Sequence, residues 1–171
     1  MPAATSSPER PAPARRRPLI IVLVGLPASG KSTWAGEQNL PALSSDAIRG
    51  LLADDETDQT IHRRVFATLR YVLRQRLKVG RMVTCIDATN LTPKERRPYI
   101  EIARRYACRI EAVFFDTPAD VCKQRNRRRR RVVPEHVIDT MSARLSPPVR
   151  AEGFSRVRVI RCAGGAALAA P

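Results

Sequence analysis

The sequence predicts an α/β protein in which helices cover both faces of a parallel sheet of four to five strands. Short runs of β-branched residues alternate with longer segments of helical periodicity, an alternation typical of parallel sheets. A glycine-rich loop joins the first apolar run to the first helical segment and fits the pattern G-x-x-x-x-G-K-[ST]. Strand, glycine loop and helix in this order indicate a P-loop NTPase fold. The loop consists of Gly25, Leu26, Pro27, Ala28, Ser29, Gly30, Lys31 and Ser32.

Five apolar or β-branched runs are predicted to form the strands, at residues 19–24, 40–44, 82–86, 109–115 and 156–161. The intervening segments carry helix signals. Apolar residues recur at helical spacing from Ile61 onwards, and Gly80 is expected to end that helix. Thr92 is expected to cap the next helix, which continues to about Tyr106. Further helices are predicted after Ser32, over residues 47–53, from Thr117 into the arginine-rich segment, and over residues 134–145.

The chain of 171 residues has the length of one domain. We expect a disordered basic leader over residues 1–18, one folded domain over residues 19–162 and a flexible tail over residues 163–171. The formal charge of +15 indicates an anionic partner, either nucleic acid, nucleotide or membrane surface. Five consecutive arginines could form an exposed helix face, but mutual repulsion of like charges favours an anion-binding segment. These are Arg127, Arg128, Arg129, Arg130 and Arg131.

The composition argues against several classes of protein. Four scattered cysteines without metal-ligand spacing indicate reduced thiols and a cytoplasmic protein. With only two histidines in the chain, His62 and His136, histidine catalysis is not expected, and both are predicted on helix surfaces. The apolar run before the glycine loop is too short to span a bilayer, so we interpret it as a core strand and expect no membrane segment.

The glycine loop has the chemistry of a nucleotide phosphate site. Its glycines allow the backbone to approach phosphates, and backbone N–H groups with the following helix N-terminus favour an anion there. Lys31 supplies a positive charge, the Ser32 hydroxyl is placed to bind Mg²⁺, and Thr33 continues the binding segment. The sequence therefore predicts ATP and Mg²⁺ as cofactors.

Carboxylates follow two of the predicted strands, and ligands of parallel sheets collect at such strand ends. Asp46 could take a proton from an acceptor hydroxyl, or it could cap the next helix. Asp87 ends the third strand and could bind Mg²⁺, or it could stabilise a turn. The acidic cluster over residues 54–58 could be catalytic, but a solvated helix start is favoured.

Four motifs together resemble the kinase domain of phage and bacterial polynucleotide 5′-kinases, an AAA-type ATP-binding family of P-loop kinases. The resemblance covers about residues 19–147. It rests on the glycine loop with Thr33, on Ser45-Asp46-Ala47-Ile48-Arg49, on Asp87-Ala88-Thr89-Asn90, and on Arg125-Asn126 leading to Val133-Pro134-Glu135.

The resemblance implies roles for individual residues. It makes Asp46 the general base and places Arg49 on the phosphate of the acceptor's terminal nucleotide. It makes Arg125 and Arg129 lid arginines that contact the donor phosphates, while the exact member of the arginine run that completes the lid stays open. Lys31, Asp46, Arg125 and Arg129 are thus the expected catalytic residues, and Asp46, Arg49, Asp87 and Asn90 are expected at the substrate.

The expected function is ATP-dependent phosphoryl transfer to a hydroxyl, with the 5′-OH end of a nucleic acid as the favoured acceptor. Two alternatives stay open: a kinase acting on a nucleoside, sugar or antibiotic, and an ATP-binding module without a dedicated acceptor. Trp34 could stack on a base, although core packing is favoured for a tryptophan on the loop helix. The preference for DNA or RNA and the oligomeric state are not indicated by the sequence.

Overall fold

The structure, a computed structural model, describes residues 16–161. The expected tail, Cys162 and the first fifteen residues of the expected leader lie outside the described residues, while Arg16 and Arg17 are exposed before the first strand. Within residues 16–161, no helix combines the length and apolar character needed to cross a bilayer.

Five parallel strands form one sheet in the order β2-β3-β1-β4-β5, which confirms the predicted α/β architecture. The strand that precedes the glycine loop, β1, lies in the middle and pairs with β3 on one side and β4 on the other. The short β2 and the arginine-rich β5 are the two edges. The strands are β1 Leu19–Val24, β2 Ala42–Ser44, β3 Val83–Asp87, β4 Arg109–Asp116 and β5 Arg156–Arg161.

Helices lie on both faces of the sheet, as the side chains of β1 show. Ile20, Val22 and Val24 pack into the larger core cluster with α3 and α4, whereas Ile21 and Leu23 pack with α1. This alternation follows from the two-residue period of a strand with both faces buried. The helices are α1 Lys31–Glu37, α2 Ser45–Ala53, α3 His62–Lys78, α4 Pro93–Arg105, α5 Ala119–Asn126 and α6 Glu135–Arg144, followed by a short 3₁₀ turn at Arg150–Glu152.

Local signals end and begin two helices as predicted. Gly80 has φ 79°, and the N–H groups of Gly80 and Arg81 donate to the carbonyls of Leu77 and Arg76 at the end of α3. This is the Schellman arrangement that glycine favours. Thr92 accepts a hydrogen bond from the Glu95 N–H at the start of α4, which confirms the predicted cap.

Two sequence predictions need correction. Asp54 to Asp58 do not begin a helix: Asp54 is the C-cap of α2, and α3 starts at His62 with no acid in its first turn. Asp55 and Asp58 instead accept bonds from residues two further on, because short acidic side chains satisfy turn backbone as readily as helix ends. The helix α2 also starts two residues earlier than predicted, since the Ser44 side chain accepts from the Ala47 N–H.

The strand order positions the site. Because β2, β3 and β1 are neighbours and parallel, their carboxyl ends meet at one edge of the sheet. The start of α2, Asp87 and the glycine loop follow those three ends. Segments that are distant in the sequence, such as Ser32 and Asp87 at 55 positions apart, therefore meet in one crevice, as expected for ligand sites of open parallel sheets.

Candidate active site

The glycine loop adopts a conformation that depends on its glycines. Gly25 has φ 153°, and a Cβ there would lie 2.8 Å from Ser29 Oγ and 3.1 Å from Phe115 Cβ. Gly30 has φ 102° and is the N-cap of α1, so the loop passes directly into the helix. Ala28 also has a positive φ, 59°. The backbone is thus curved so that a helix N-terminus and loop N–H groups face one side.

The ammonium of Lys31 lies inside the curve of this loop. Its Nζ donates to the Gly25 carbonyl at 3.0 Å, to the Leu26 carbonyl at 2.6 Å and to Ser29 Oγ at 3.4 Å. Burial lowers the pKa of Lys31 to about 8, although the nearby Asp87 carboxylate favours the charged form. The loop therefore surrounds a buried cation, which suits an anionic ligand.

Ser32 and Asp87 form the pair expected at a magnesium site. The Ser32 hydroxyl donates to Asp87 Oδ2 at 2.7 Å, and Asp87 is buried at the end of β3. Among residues 16–161 no group of three or more histidine, cysteine or acidic side chains could hold a metal ion. One hydroxyl and one carboxylate fit Mg²⁺, which takes few protein ligands and completes its shell with phosphates and water.

The loop also contacts the helices that carry the arginines. Leu26 packs with Leu91, Cys122 of α5 and Ile138 of α6 in a small core cluster. The Thr117 hydroxyl, just before α5, donates to the Ser29 carbonyl at 3.3 Å. The position of α5 and α6 is therefore tied to that of the glycine loop, residues 25–32, which we call the phosphate loop from here on. Of the remaining loop residues, Pro27 is buried and Thr33 is exposed in the first turn of α1.

Asp46 lies in the first turn of α2 between two arginines. Its Oδ1 is 2.9 Å from Arg49 of the same helix and 2.8 Å from Arg131 of the arginine-rich segment. Because Ser44 caps α2, the Asp46 carboxylate is not used as the cap, and 44% of its side chain stays exposed. The structure therefore places this carboxylate in the crevice, with its Oδ1 paired to two guanidiniums.

Arg49 is buried beside Asp46, with 4% of its surface exposed. Its Nε has no hydrogen-bond partner among the described residues. A buried guanidinium with an unused donor is costly unless an acceptor meets it. Arg49 thus combines a fixed position with unused donor capacity toward an anion.

The arginine run forms a loop rather than a helix face. Helix α5 ends at Asn126, whose side chain donates to the Val133 carbonyl at 2.7 Å and accepts from the Val133 N–H at 3.1 Å. These two bonds close residues 127–132 into a loop, which we call the arginine loop.

Individual arginines of this region face different partners. Arg125 is exposed in the last turn of α5. Arg129 is exposed, and its charge contributes to lowering the pKa of Lys31. Arg131 contacts Asp46, and Arg127 pairs with Glu135 at 2.7 Å at the start of α6.

Asn90 lies in the interior, beneath the crevice. It is 1% exposed, has φ 48°, and its amide donates to the Leu23 carbonyl at 2.7 Å and to the Ala88 carbonyl at 3.3 Å. These bonds fasten the turn after β3 onto β1. The placement of Asn90 favours a role in positioning Asp87 over the substrate contact expected from the sequence.

Sequence analysis missed a buried arginine behind this turn. Arg96 is fully buried and donates to the carbonyls of Asn90, Leu91 and Ser146 and to both carboxylate oxygens of Glu152. It shares the core-facing side of α4 with Tyr99 and Ile100. A charged residue at that helical spacing was the available signal.

Trp34 packs as the favoured interpretation predicts. Its ring meets Phe115 edge to face with centroids 5.9 Å apart, and the Arg158 guanidinium lies 5.6 Å above it. Both contacts are on the α1 face of the sheet. A role in stacking on a nucleobase is therefore not favoured.

Comparison with known proteins gives relatives of low identity. The chain is 25% identical over 146 residues to a bifunctional polynucleotide phosphatase/kinase of Schizosaccharomyces pombe, covering 82% of this chain and 33% of that protein. It is 24% identical over 139 residues to an L-seryl-tRNA(Sec) kinase of Methanococcus maripaludis, covering 76% of this chain and 53% of that protein. The chain thus spans between a third and about half of the curated relatives it matches.

A solved structure of a Pnkp1/Rnl/Hen1 RNA repair complex shares the fold. Its TM-score is 0.65 at 23% identity, with 77% of this chain and 45% of that chain covered. Residues 20–148 match the family model AAA_33, described as an AAA domain. The matched residues contain the phosphate loop, Asp46, Asp87 and the arginine loop. Because this match covers more than half of the chain, the protein belongs to the AAA_33 family of P-loop, kinase-like domains.

Proposed function

We propose that this protein transfers the γ-phosphoryl group of ATP to the 5′-hydroxyl end of a nucleic acid. The observation that carries the proposal is the pair of Asp46 and Arg49, 2.9 Å apart at the start of α2. A carboxylate that can accept a hydroxyl proton there adjoins a buried guanidinium that can bind the acceptor's phosphate. Both lie at the sheet edge that carries the phosphate loop.

The donor side uses the phosphate loop. Phosphoryl transfer depends on positioning and on neutralising charge more than on covalent chemistry. The loop N–H groups and the Lys31 ammonium would hold the β- and γ-phosphates, and Ser32 with Asp87 would hold Mg²⁺. The metal, when bound, would supply positive charge that neutralises the donor phosphates.

The positive charge of the protein favours an anionic polymer as the acceptor. The formal charge of +15 exceeds what a small metabolite requires and suits a phosphate backbone. The polynucleotide phosphatase/kinase relative and the RNA repair complex support the same acceptor class. In this proposal Asp46 accepts the proton of the 5′-hydroxyl while Arg49 holds the phosphate of the same nucleotide.

Arg125 and Arg129 are proposed to neutralise charge on the transferring group. We expect either alanine substitution to lower the turnover number about a hundredfold, as loss of one charge-stabilising donor does. Arg128→Ala is the matched control, because Arg128 is exposed in the same loop and forms no ion pair within residues 16–161. An undiminished turnover number in Arg125→Ala would remove that residue from the lid.

The decisive experiment is an acceptor screen with γ-labelled ATP and Mg²⁺. We expect label on DNA or RNA oligonucleotides with a 5′-hydroxyl and none on the same oligonucleotides carrying a 5′-phosphate. Asp46→Asn should abolish transfer but retain ATP binding. Absence of transfer to every 5′-hydroxyl oligonucleotide by the wild-type protein would exclude this acceptor.

A small-molecule kinase is the second candidate, because the phosphate loop and Asp46 would serve a metabolite hydroxyl equally well. The two candidates differ in salt dependence. Binding to an oligonucleotide backbone weakens steeply as salt rises, whereas affinity for a neutral sugar or nucleoside does not. Transfer to such a metabolite with no salt-sensitive oligonucleotide binding would favour this second candidate. ATP binding without any transfer would indicate a module that lacks a dedicated acceptor.

A further inference from the structure

The contact between Arg131 and Asp46 joins two parts of the crevice that the proposed reaction uses separately. Arg131 comes from the arginine loop between α5 and α6, and Asp46 comes from α2, 85 positions earlier in the chain. The two side chains are 2.8 Å apart, and 22% of the Arg131 side chain is exposed. The contact occupies Asp46 Oδ1, the oxygen that also accepts from Arg49.

The acidic loop after α2 lies near Arg131. Gly50, Arg130 and Arg131 line a crevice together with residues 54–57 of this loop. Hydrogen bonds from Thr57 lower the pKa of Asp55, and the charge of Arg131 acts in the same direction. The acidic cluster over residues 54–58 therefore shares a pocket with this end of the arginine loop.

The helix that leads into the arginine loop is tied to the donor site. The Thr117 hydroxyl just before α5 donates to the Ser29 carbonyl at 3.3 Å, and Cys122 of α5 packs with Leu26 of the phosphate loop. The bonds between Asn126 and Val133 close the loop, so its arginines cannot move independently over long distances. One short segment thus begins at a helix that is tied to the phosphate loop and carries Arg131 on the acceptor-side carboxylate.

We propose that Arg131 is a positioning residue that couples the two substrate sites by binding Asp46 until donor phosphates draw the arginine loop toward the phosphate loop. While Arg131 is on Asp46, that carboxylate oxygen is not available to a hydroxyl. The donor phosphates compete with Asp46 for the arginines of this loop, so donor binding releases Asp46. The proposal rests on the proposed role of Asp46 as the acceptor-side base.

Coupling of this kind has a thermodynamic signature. If the contact with Asp46 must break when donor binds, removing Asp46 strengthens donor binding. Removing a negative charge near Lys31 would also strengthen it directly, whether or not Arg131 takes part. A double-mutant cycle separates these effects, because only the coupled part disappears when Arg131 is absent.

The experiment measures the dissociation constant of a non-hydrolysable ATP analogue with Mg²⁺ and without acceptor. Asp46→Ala should lower this dissociation constant when Arg131 is present. We expect the factor to be about five times larger in that background than in the Arg131→Gln background. Arg128→Gln is the matched control, and in that background Asp46→Ala should retain its full effect. Circular dichroism checks that each variant is folded, and Asp46→Asn replaces Asp46→Ala if the alanine variant is not.

Equal effects of the Asp46 substitution with and without Arg131 would overturn the proposal. A reduced effect in the Arg128→Gln background would also overturn it, because the coupling would then belong to the loop's total charge. Neither outcome depends on which acceptor the protein uses. Failure of the acceptor screen would instead bear on the proposed function alone.

Discussion

Lys31 shows how one residue combines fold and chemistry. Its ammonium bonds two carbonyls of the loop that precedes it, and its burial lowers its pKa to about 8. The residue therefore stabilises the loop. In the proposed function the same ammonium would also neutralise charge on the donor phosphates.

Lys31→Ala should weaken binding of an ATP analogue roughly 10- to 100-fold, the effect of losing charge-assisted hydrogen bonds worth about 1.5–3 kcal/mol. Isothermal titration calorimetry measures this. Lys94→Ala is the control, since Lys94 is exposed on α4 and carries the same charge. Equal losses in the two variants would show that the site responds only to net charge.

His62 gives the fold a dependence on pH. Partial burial lowers its pKa, and the charge of Arg49 on α2 acts in the same direction; Glu95 of α4 opposes this, and Arg144 of α6 adds to it. The folded protein therefore takes up a proton at His62 less readily than the unfolded chain. Its contribution to stability is present above the unfolded pKa of about 6.5 and is lost as pH falls below it.

We expect the midpoint temperature of thermal unfolding to decrease as the pH is lowered from 7 to 5.5. The substitution His62→Gln should make this decrease smaller. His136→Gln is the matched control, because His136 is the other histidine and is exposed on α6. Thermal unfolding followed by circular dichroism at several pH values measures the difference. If both substitutions reduce the fall equally, the effect does not come from the surroundings of His62.

At the scale of elements, the segment between α5 and α6 depends on one buried amide. Asn126 is fully buried and bonds both backbone groups of Val133. Its two bonds hold the ends of the arginine loop together. The loop can therefore present several guanidiniums and still return to the core at α6.

Asn126→Ala should make the arginine loop more mobile and destabilise the protein by about 1–3 kcal/mol, because the Val133 groups lose their partners. Limited trypsin digestion should cut the loop faster, and phosphoryl transfer should slow. Asn126→Asp can still accept from the Val133 N–H, but it buries a carboxylate against the Val133 carbonyl, so it should destabilise the loop at least as much. Unchanged cleavage rates in both variants would contradict this role.

The elements could be predicted from the sequence where their signals are local. The runs that form β1, β3 and β4, the glycine at the end of α3 and the cap at Thr92 all depend on neighbouring residues, and the structure has them within about two residues of the prediction. The acidic cluster was misplaced because its carboxylates satisfy turns and helix ends alike. The strand order depends on pairings between distant segments, which local pattern does not specify.

The features of the candidate site also differ in how far the sequence could predict them. The phosphate loop is contiguous in sequence, so its residues could be named in advance. The Arg131 contact with Asp46 and the interior position of Asn90 depend on which strands are neighbours and on how the arginine loop closes. The roles proposed for Asp46, Arg49, Arg125 and Arg129 stay predictions that the acceptor screen and the variants test.

At the scale of the whole molecule, Arg96 links three regions of the chain. It joins α4 to the turn after β3 through Asn90 and Leu91, and to the segment after α6 through Ser146 and Glu152. That segment follows the arginine loop and leads into β5. The turn that follows Asp87 and the segment after α6 are thus fixed to one buried guanidinium.

Arg96→Met should lower the free energy of unfolding by about 3–5 kcal/mol, because it leaves the partly buried Glu152 carboxylate without its partner. Arg97→Met is the matched control on the next residue. The pair between Arg97 and Glu101 is exposed, and its loss should cost about 0–1 kcal/mol. Urea unfolding followed by fluorescence measures both, and similar losses would show that Arg96 is not specially required.

The edge strand β5 has a consequence for how copies of this protein meet. Its outer backbone groups could template a strand from another molecule, the usual route to sheet-mediated aggregation. Arg156, Arg158 and Arg161 place three guanidiniums on that strand, and Glu111 and Asp116 partly balance the charges of Arg158 and Arg161. A second copy approaching in register would still bring like charges together, so the strand itself opposes growth of the sheet across molecules.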